Sequence, residues 1–494
     1  MAVIIRSGRI GSCHESMSLY GGIEIVGRPD LENVRKLDLL PMPMTARMMQ
    51  YGMAIDKGWF SDLSQKLQGQ MKELRAEICD YIPSEKFEEF LERAGGFDDD
   101  SLPMNVNSRD QLSILLFDVL GIGRGRQLKT TKSGDRISTG KKQMEQLKRE
   151  HPIVQKTLNY AEAAKLKSTY TDALPKIAVE HKRGSCWCGL KHYEKTFRVH
   201  SQILWTRTDT GRPASKAPNL FNIPARKAIG REIRAGFVAS PGTKLVASDF
   251  AQEEMRLGAH YSQDENLIRI FKEGLDPHVE TAKRAFKTDT PDKLSQRDPC
   301  KNVNFGVFYE LSGPGLYDLM AVTYATADKD LPEWLTIDWC KQFIEDWFEL
   351  YPAVRGYLDN QHYRAQRYSC VWTLMGRVRL VPEVHSYHSQ IRAAGLRQAG
   401  NHPIQGTGGD WLRLVLAEMG EHVDELERSG VWCWPLNCPY DEVLMEVEED
   451  YAEYVKEILS NVMENVMVDK ETGVHQFSVP IKVDAKITDR WLKE

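Results

Sequence analysis

At 494 residues the chain is too long for a single compact core and implies two to four domains or subdomains. Hydrophobic residues make up 41% and charged residues 27%, and no apolar run approaches the roughly eighteen residues of a membrane span, so a membrane partner is not expected. The net charge of −5 excludes a uniformly cationic surface, so any contact with nucleic acid must rely on local positive charge.

The N-terminus, MAVIIRSGRIGSCHES, lacks the basic-then-apolar order of a secretory signal, and a cytosolic place of work is expected. Residues 1–40 show little periodicity and read as a loosely structured lead-in. From Thr45 to about Tyr81, apolar residues recur at helical spacing and Gly52 and Gly58 interrupt them, which predicts a helical pair. Asn107-Ser108 cap a helix over Arg109–Leu120. Arg124, Arg126, Lys129, Lys132, Arg136, Lys141, Lys142, Lys148 and Arg149 then crowd a glycine-containing stretch opposed only by Asp135 and Glu145. Such a stretch predicts a cationic loop, although a charge run is more often a solvated face. Helix returns from Thr139 through Lys176. Nine cysteines without regular spacing point to reduced thiols, and Cys186-Trp187-Cys188 with His192 lacks a clear fourth ligand for zinc.

Near Phe197 the pattern changes to short strands, including Val199–Thr206 and Lys244–Asp249. Helices dominate from Gln252 to about Gln366. The last third predicts a helix over Gly408–Glu427, a hairpin around Pro439-Tyr440, a helix over Tyr451–Asn465 and a closing strand over Phe477–Lys486.

Three segments could carry chemistry. In the first, the apolar run Lys244–Ser248 ends in Asp249. A carboxylate there can bind a cation, with the next carbonyl, that of Phe250, as a further oxygen ligand. Taken alone, a helix-capping aspartate is the simpler reading. In the second, Asp441 and Glu442 sit side by side at a predicted tight turn, where they repel unless a cation neutralises them. Taken alone, an exposed hairpin tip is simpler. In the third, Arg297, Lys301, Phe305 and Tyr309 recur every four residues and form one stripe of two cations and two aromatics, while Val303 and Val307 face the other way. That stripe suits a phosphate tail leading into a base or sugar. There is no glycine-rich phosphate loop of the Walker or dinucleotide type.

Taken in order, these segments resemble family A DNA polymerases, the group typified by bacterial DNA polymerase I. Asp249-Phe-Ala-Gln-Glu-Glu254-Met-Arg256 is similar to the first palm motif, Arg297 to Tyr309 to the fingers helix, and Tyr440-Asp441-Glu442 to the second palm hairpin. Thr210-Gly211-Arg212, Pro218–Pro224, Asp276-Pro277-His278, Gly376-Arg377 and Arg397 to Thr407 fill the gaps. Gln50–Asp56 and Ala164–Tyr170 look like thumb segments. The likeness runs over about 41–494.

The resemblance implies an α+β right-hand fold: an N-terminal extension at 1–40, a helical thumb at 41–200, an antiparallel-sheet palm at 201–257 and 390–494, and helical fingers at 258–389. It implies template-directed addition of dNTPs to a primer 3′-hydroxyl, with two Mg²⁺ ions (Mn²⁺ tolerated) on Asp249, Asp441 and the Phe250 carbonyl, and Glu442 as an auxiliary acid. Arg297, Lys301 and His278 would hold the triphosphate, with Lys301 also catalytic. Phe305, Tyr309, Gln252 and Glu254 would line the nucleotide site, Glu254 as the barrier to a ribose 2′-hydroxyl. Arg212, Asn219, Asn222, Arg397, Asn401, Gln405 and Tyr440 would meet the primer-template DNA.

Some positions depart from the family pattern. Tyr440 stands where His is usual, Glu310 where Gly is common, Phe221 where Gln is frequent and Pro314 where Phe is frequent. No carboxylate constellation of a nuclease precedes the thumb, so proofreading is not expected on this chain, and a phage-type gene with a separately encoded exonuclease or other replisome proteins as partners is expected. Competing readings are a related RNA polymerase or reverse transcriptase, and an inactive primer-template clamp. Glu254 speaks against the RNA polymerase, and the presence of both aspartates against the clamp.

Overall fold

Four antiparallel strands run through the middle of the molecule in the spatial order Val483–Thr488, Thr243–Phe250, Glu442–Glu448, Cys433–Asn437. The computed structural model describes residues 19–95, 103–131, 134–181, 196–224, 227–326 and 330–492. Both faces of the sheet are covered, which is why its strands read as almost continuous apolar runs. Val246, Phe250, Val443, Met445 and Val447 enter the largest core. Leu245, Ala247, Leu444, Trp434 and Leu436 enter a second core on the opposite face.

The helix Lys57–Cys79 begins at Asp56, whose side chain accepts from the Trp59 N–H, and packs along Pro152–Leu166. Beyond this pair a separate core of Ile78, Phe90, Leu115, Leu116, Leu147 and Ile153 encloses the tip of the module. Ser108 caps the next helix as expected, but the regular α-helix stops at Ser113 and continues as wider turns through Val119. The cationic stretch is exposed at Arg124, Arg126 and Lys129 in the loop, at Lys141 and Lys142 where the helix Lys141–Leu147 begins, and at Arg149; Lys132 lies outside the described residues, as do Cys186, Cys188 and His192.

Helices Glu253–Ser262, Glu265–Lys272, Pro277–Phe286, Asp298–Gly306, Gly313–Thr326, Ile337–Leu350 and Pro352–Tyr368 build the block that follows the second strand of the sheet. The helix expected over Gly408–Glu427 is far longer. It spans Ser389–Arg428 and carries Pro403 in its interior. Proline and the glycines at 400, 406, 408 and 409 weaken the local helical signal. Tertiary packing overrides them, for Gly400 through Leu416 are almost all buried. The closing strand is Val483–Thr488, later than expected.

Residues 19–40 correct the sequence reading. They are no loose lead-in: Leu19, Ile23 and Leu37 are buried in the main core, and Leu31–Leu39 is a helix capped by Asp30. Asn33 donates to the Met375 carbonyl at 2.9 Å, and Asp38 pairs with Arg377 at 2.7 Å and Arg413 at 2.9 Å. Gly376 sits at φ 88°, where a β-carbon would stand 2.7 Å from the Arg28 carbonyl. These partners are more than 300 residues away, so no local pattern announces them.

Candidate active site

The register of the central hairpin brings the first two segments together. Glu442 pairs with Asp249, and the Phe250 N–H donates to the Asp441 carbonyl at 3.1 Å. Neighbouring strands lie about 4.8 Å apart, so Asp249, near the end of its strand, and Asp441, in the turn just before Glu442–Glu448, stand at the same end of the sheet. Both are partly exposed. Asp249 is a strand residue and not a helix cap; the position before the following helix is Gln252, at φ 56° and with no side-chain cap bond. Tyr440, at φ 64°, turns the chain into Asp441.

Glu442 is placed differently from its neighbour. It is 3% exposed, accepts from the Trp491 indole N–H and pairs with Arg234 at 3.2 Å. Strand alternation puts it on the face of Leu444 and Glu446, within the second core, where it braces the hairpin.

Glu254 lies at the centre of a second group. Tyr309 donates its phenol hydrogen to the Glu254 carboxylate, with its oxygen 2.7 and 2.8 Å from the two carboxylate oxygens, and the Gln405 amide donates to Tyr309. Arg212 Nη2 donates to Glu254 at 3.0 Å and to Glu253 at 3.2 Å. Burial works against the Arg212 charge, but Glu253 and Glu254, with Asp441 contributing, hold the guanidinium firmly protonated. Burial likewise pushes the Glu253 carboxyl up to about 8, with Arg212 opposing the rise and Asp441 and Glu254 adding to it. No role for Glu253 emerged from the sequence; two consecutive acids directly after a strand were its only signal.

The third segment is helical as expected, with one refinement. Arg297 ends a wide turn, Asp298–Gly306 is α-helix, and Val307–Tyr309 tightens to 3-10 geometry. Val303 and Val307 are buried while Lys301 is exposed and Phe305 and Tyr309 are half-buried, so the stripe faces open space. Arg297 donates to Asp276 at 2.7 Å. His278 is buried beside it, its ring 5.4 Å from that of Phe305 and its Nδ1 3.0 Å from the Asn304 amide. Burial lowers the His278 pKa, with Arg297 and Lys301 adding to the fall and Asp276 opposing it.

Arg397, Asn401 and Gln405 recur every four residues on the long helix and therefore share a face. Arg397 is exposed, and Asn401 Oδ1 is buried without a hydrogen-bond partner among the described residues. Asn219 accepts from the Phe221 and Asn222 N–H groups at 3.1 and 3.2 Å and so shapes its own turn. Asn222 accepts from the Tyr440 hydroxyl, which links that turn to the acidic hairpin. At the tip of the N-terminal module, Arg149 reaches across to the Tyr317 hydroxyl at 3.1 Å.

The chain matches the family model described as "DNA polymerase family A" over residues 58–493. It is 35% identical over 449 residues to the thermostable DNA polymerase I of Thermus aquaticus, covering 90% of this chain and 46% of that one. DNA polymerase I of Deinococcus radiodurans is 32% identical over 470 residues, covering 94% and 43%. The chain thus spans about half the length of these relatives. Among solved structures, the POL domain of Pol1 from M. smegmatis, in complex with DNA primer-template and dNTP, superposes with a TM-score of 0.72 at 27% identity, covering 93% of this chain and 72% of that one. The α+β right-hand architecture is shared.

Proposed function

The chain belongs to DNA polymerase family A, and on that premise we propose that it extends a primer 3′-hydroxyl with deoxynucleotides under the direction of a DNA template. The observation that carries this reading is the register that sets Asp249 and Asp441 at one end of the central hairpin, where Asp441 acts on Arg212, which pairs with Glu254, and Glu254 in turn accepts from Tyr309 at the end of the segment bearing Arg297 and Lys301. The thumb is assigned to 41–200, the palm to 201–257 and 390–494, and the fingers to 258–389. No described helix is long and apolar enough to cross a membrane, and a bacterial cytosol is the proposed place of work.

The donor set fits hard divalent cations. Asp249 and Asp441 stand together at one end of the central hairpin, while Glu253 and Glu254 are paired with Arg212, and carboxylate and carbonyl oxygens suit Mg²⁺, with Mn²⁺ as a substitute. Among the described residues no three acidic, histidine or cysteine side chains form a complete metal site, so phosphate oxygens and water would supply the remaining ligands. Asp249 and Asp441, with the Phe250 carbonyl, would hold the ions. When bound, two ions supply activation of the primer hydroxyl and neutralisation of the leaving pyrophosphate, a scheme for which polymerases are an established example.

The protein's own groups do the rest. Arg297 and Lys301 attract and orient the triphosphate, and His278, held neutral by burial, offers a hydrogen bond without further charge. Phe305 gives the incoming base a flat apolar neighbour. Glu254, restrained by Tyr309 and Arg212, occupies the space a ribose 2′-hydroxyl would need. The exposed arginines and lysines of the thumb loop follow duplex phosphates without reading sequence.

The test is extension of a labelled primer on four templates that differ in the next base, with each dNTP supplied singly and Mg²⁺ present. Incorporation of the complementary nucleotide alone supports the reading. Normal primer-template binding with no extension would contradict it.

A further inference from the structure

One outward face of the molecule has no part in the chemistry described so far. It is built from the helix Pro352–Tyr368 and the hairpin of strands Cys370–Trp372 and Val378–Leu380. On its inner side Ala365, Val371 and Val381 form a small core with Ala399 of the helix Ser389–Arg428. Residues two apart on a helix point about 160° from one another. Ala399 therefore faces away from both Arg397 and Asn401, and the face lies behind the side of that helix assigned to the duplex. By the same geometry Tyr363 and Arg367 stand opposite the buried Ala365, on the outer surface.

That surface is aromatic and cationic. Tyr363 is 60% exposed and Tyr368 is 42% exposed, with Arg367 one turn beyond Tyr363. The Arg364 guanidinium lies 4.9 Å from the centre of the Trp372 ring, and the Tyr368 ring lies 6.4 Å from the same centre. A hydrogen bond of 3.0 Å between Ser369 and His385 draws the loop after the hairpin alongside, and Tyr387 in that loop is 101% exposed. Residues 360–392 hold five arginines and a single acid, Glu383. Arg377 and Arg379 pair with acids from other segments, whereas Arg364, Arg367 and Arg392 have no acidic partner among the described residues. So unopposed a charge selects a polyanion over an ordinary protein surface. The open rings select further, because a single strand offers unpaired bases to stack on them, whereas a duplex keeps its bases stacked inside.

We propose that this face binds single-stranded DNA outside the primer-template cleft. Tyr363, Tyr368 and Tyr387 serve as platforms for unpaired bases, and Arg364, Arg367 and Arg392 meet the phosphates between them. Such a surface is indifferent to sequence, because every base has a flat face and every phosphate the same charge. Strand binding here does not depend on the polymerase reading, which only names two sources for the strand. One is unpaired template beyond the primer end, and the other is a strand displaced from the template.

The experiment is fluorescence anisotropy of a labelled oligothymidylate, with excess unlabelled blunt duplex present to occupy the cleft. Binding to the wild type is expected to persist under that competitor. Affinity should fall about tenfold or more in the double variant Tyr363→Ala/Tyr387→Ala, the scale of lost base stacking. Arg367→Gln should lower the salt dependence of binding by about one phosphate contact. Loss of the oligonucleotide to the blunt duplex, or wild-type behaviour in both variants, would overturn the proposal. Primer-templates with short and long 5′ overhangs separate the sources. If the affinity gained from the longer overhang disappears in the double variant, the strand is template, and if that gain persists while oligothymidylate binding falls, it is a displaced strand. Single-nucleotide extension on the short overhang should match the wild type in the double variant, and a fall there would place these residues in the cleft and overturn the proposal. Failure of the wild type to extend any primer would instead overturn the polymerase reading without touching the anisotropy result.

Discussion

Tyr309 donates its hydroxyl hydrogen to the Glu254 carboxylate, joining the turn Val307–Tyr309 to the helix Glu253–Ser262 that follows the strand Thr243–Phe250. The bond pins Glu254 in a half-buried position, and Arg212 pairs with the same carboxylate. Truncation in Glu254→Ala is expected to admit ribonucleotides, reducing dNTP-over-rNTP selectivity by about tenfold or more, while Tyr309→Phe, which only loosens the carboxylate, gives a smaller drop. Single-nucleotide incorporation with paired dNTP and rNTP substrates measures both.

Lys301 is exposed and sits in the first turns of its helix, so its removal should leave the fold intact. For Lys301→Met we expect an unchanged melting temperature and a fall in nucleotide incorporation of about 10²-fold or more, as for loss of a cation facing developing phosphate charge. Thermal melting and single-turnover incorporation, run on the same preparation, separate the two effects.

Arg198 and Glu446 form an ion pair with neither side chain exposed. Arg198 also donates to the Tyr51 and Gly52 carbonyls at 2.8 and 2.9 Å and to Ser240 at 3.0 Å, tying the end of the helix Met42–Tyr51 to the strand Glu442–Glu448 that follows Asp441. Removing one partner strands a buried charge, and Arg198→Met should cost about 3–5 kcal/mol. Breaking the exposed pair Lys66–Glu232 should cost under about 1 kcal/mol. Denaturant unfolding of the two variants tests the contrast.

Stability should also fall in mild acid. Burial, with Arg379 nearby, pushes His402 down to about 3, and burial, with His475 nearby, pushes His260 down to about 4, both from about 6.5. The unfolded chain therefore takes up protons first as the pH falls. The contribution is complete above about pH 6.5 and is lost progressively toward pH 4, at up to roughly 1.4 kcal/mol per pH unit for each histidine. Melting temperatures at pH 7.5, 6 and 5 should decline, and less steeply in His402→Gln.

What could be read from the sequence divides along the range of the interactions. The stripe from Arg297 to Tyr309 was legible because helical spacing is local, and so was the hairpin at Tyr440-Asp441-Glu442. The different surroundings of Asp441 and Glu442 were not, since they depend on Arg234 and Trp491, which lie far away along the chain. The full length of the helix Ser389–Arg428 was hidden by Pro403 with Gly395, Gly400 and Gly406, which lower propensity, while Gly406, Gly408 and Gly409 allow close packing against Thr373, Glu253 and the turn at Gly211. Residues 19–40 carried no pattern because Asn33 and Asp38 find their partners around Met375 and Arg413. Glu253 was visible as a letter but not as a buried acid, because burial becomes apparent only once Arg212 and Gly408 are seen around it.

The most direct test of the account is primer extension with Mg²⁺ by Asp249→Ala and Asp441→Ala, measured beside equilibrium binding of the same primer-template. If the two aspartates hold the catalytic ions, each substitution abolishes dNTP incorporation while duplex affinity stays within a few-fold of wild type. Substantial templated extension by either variant would contradict it.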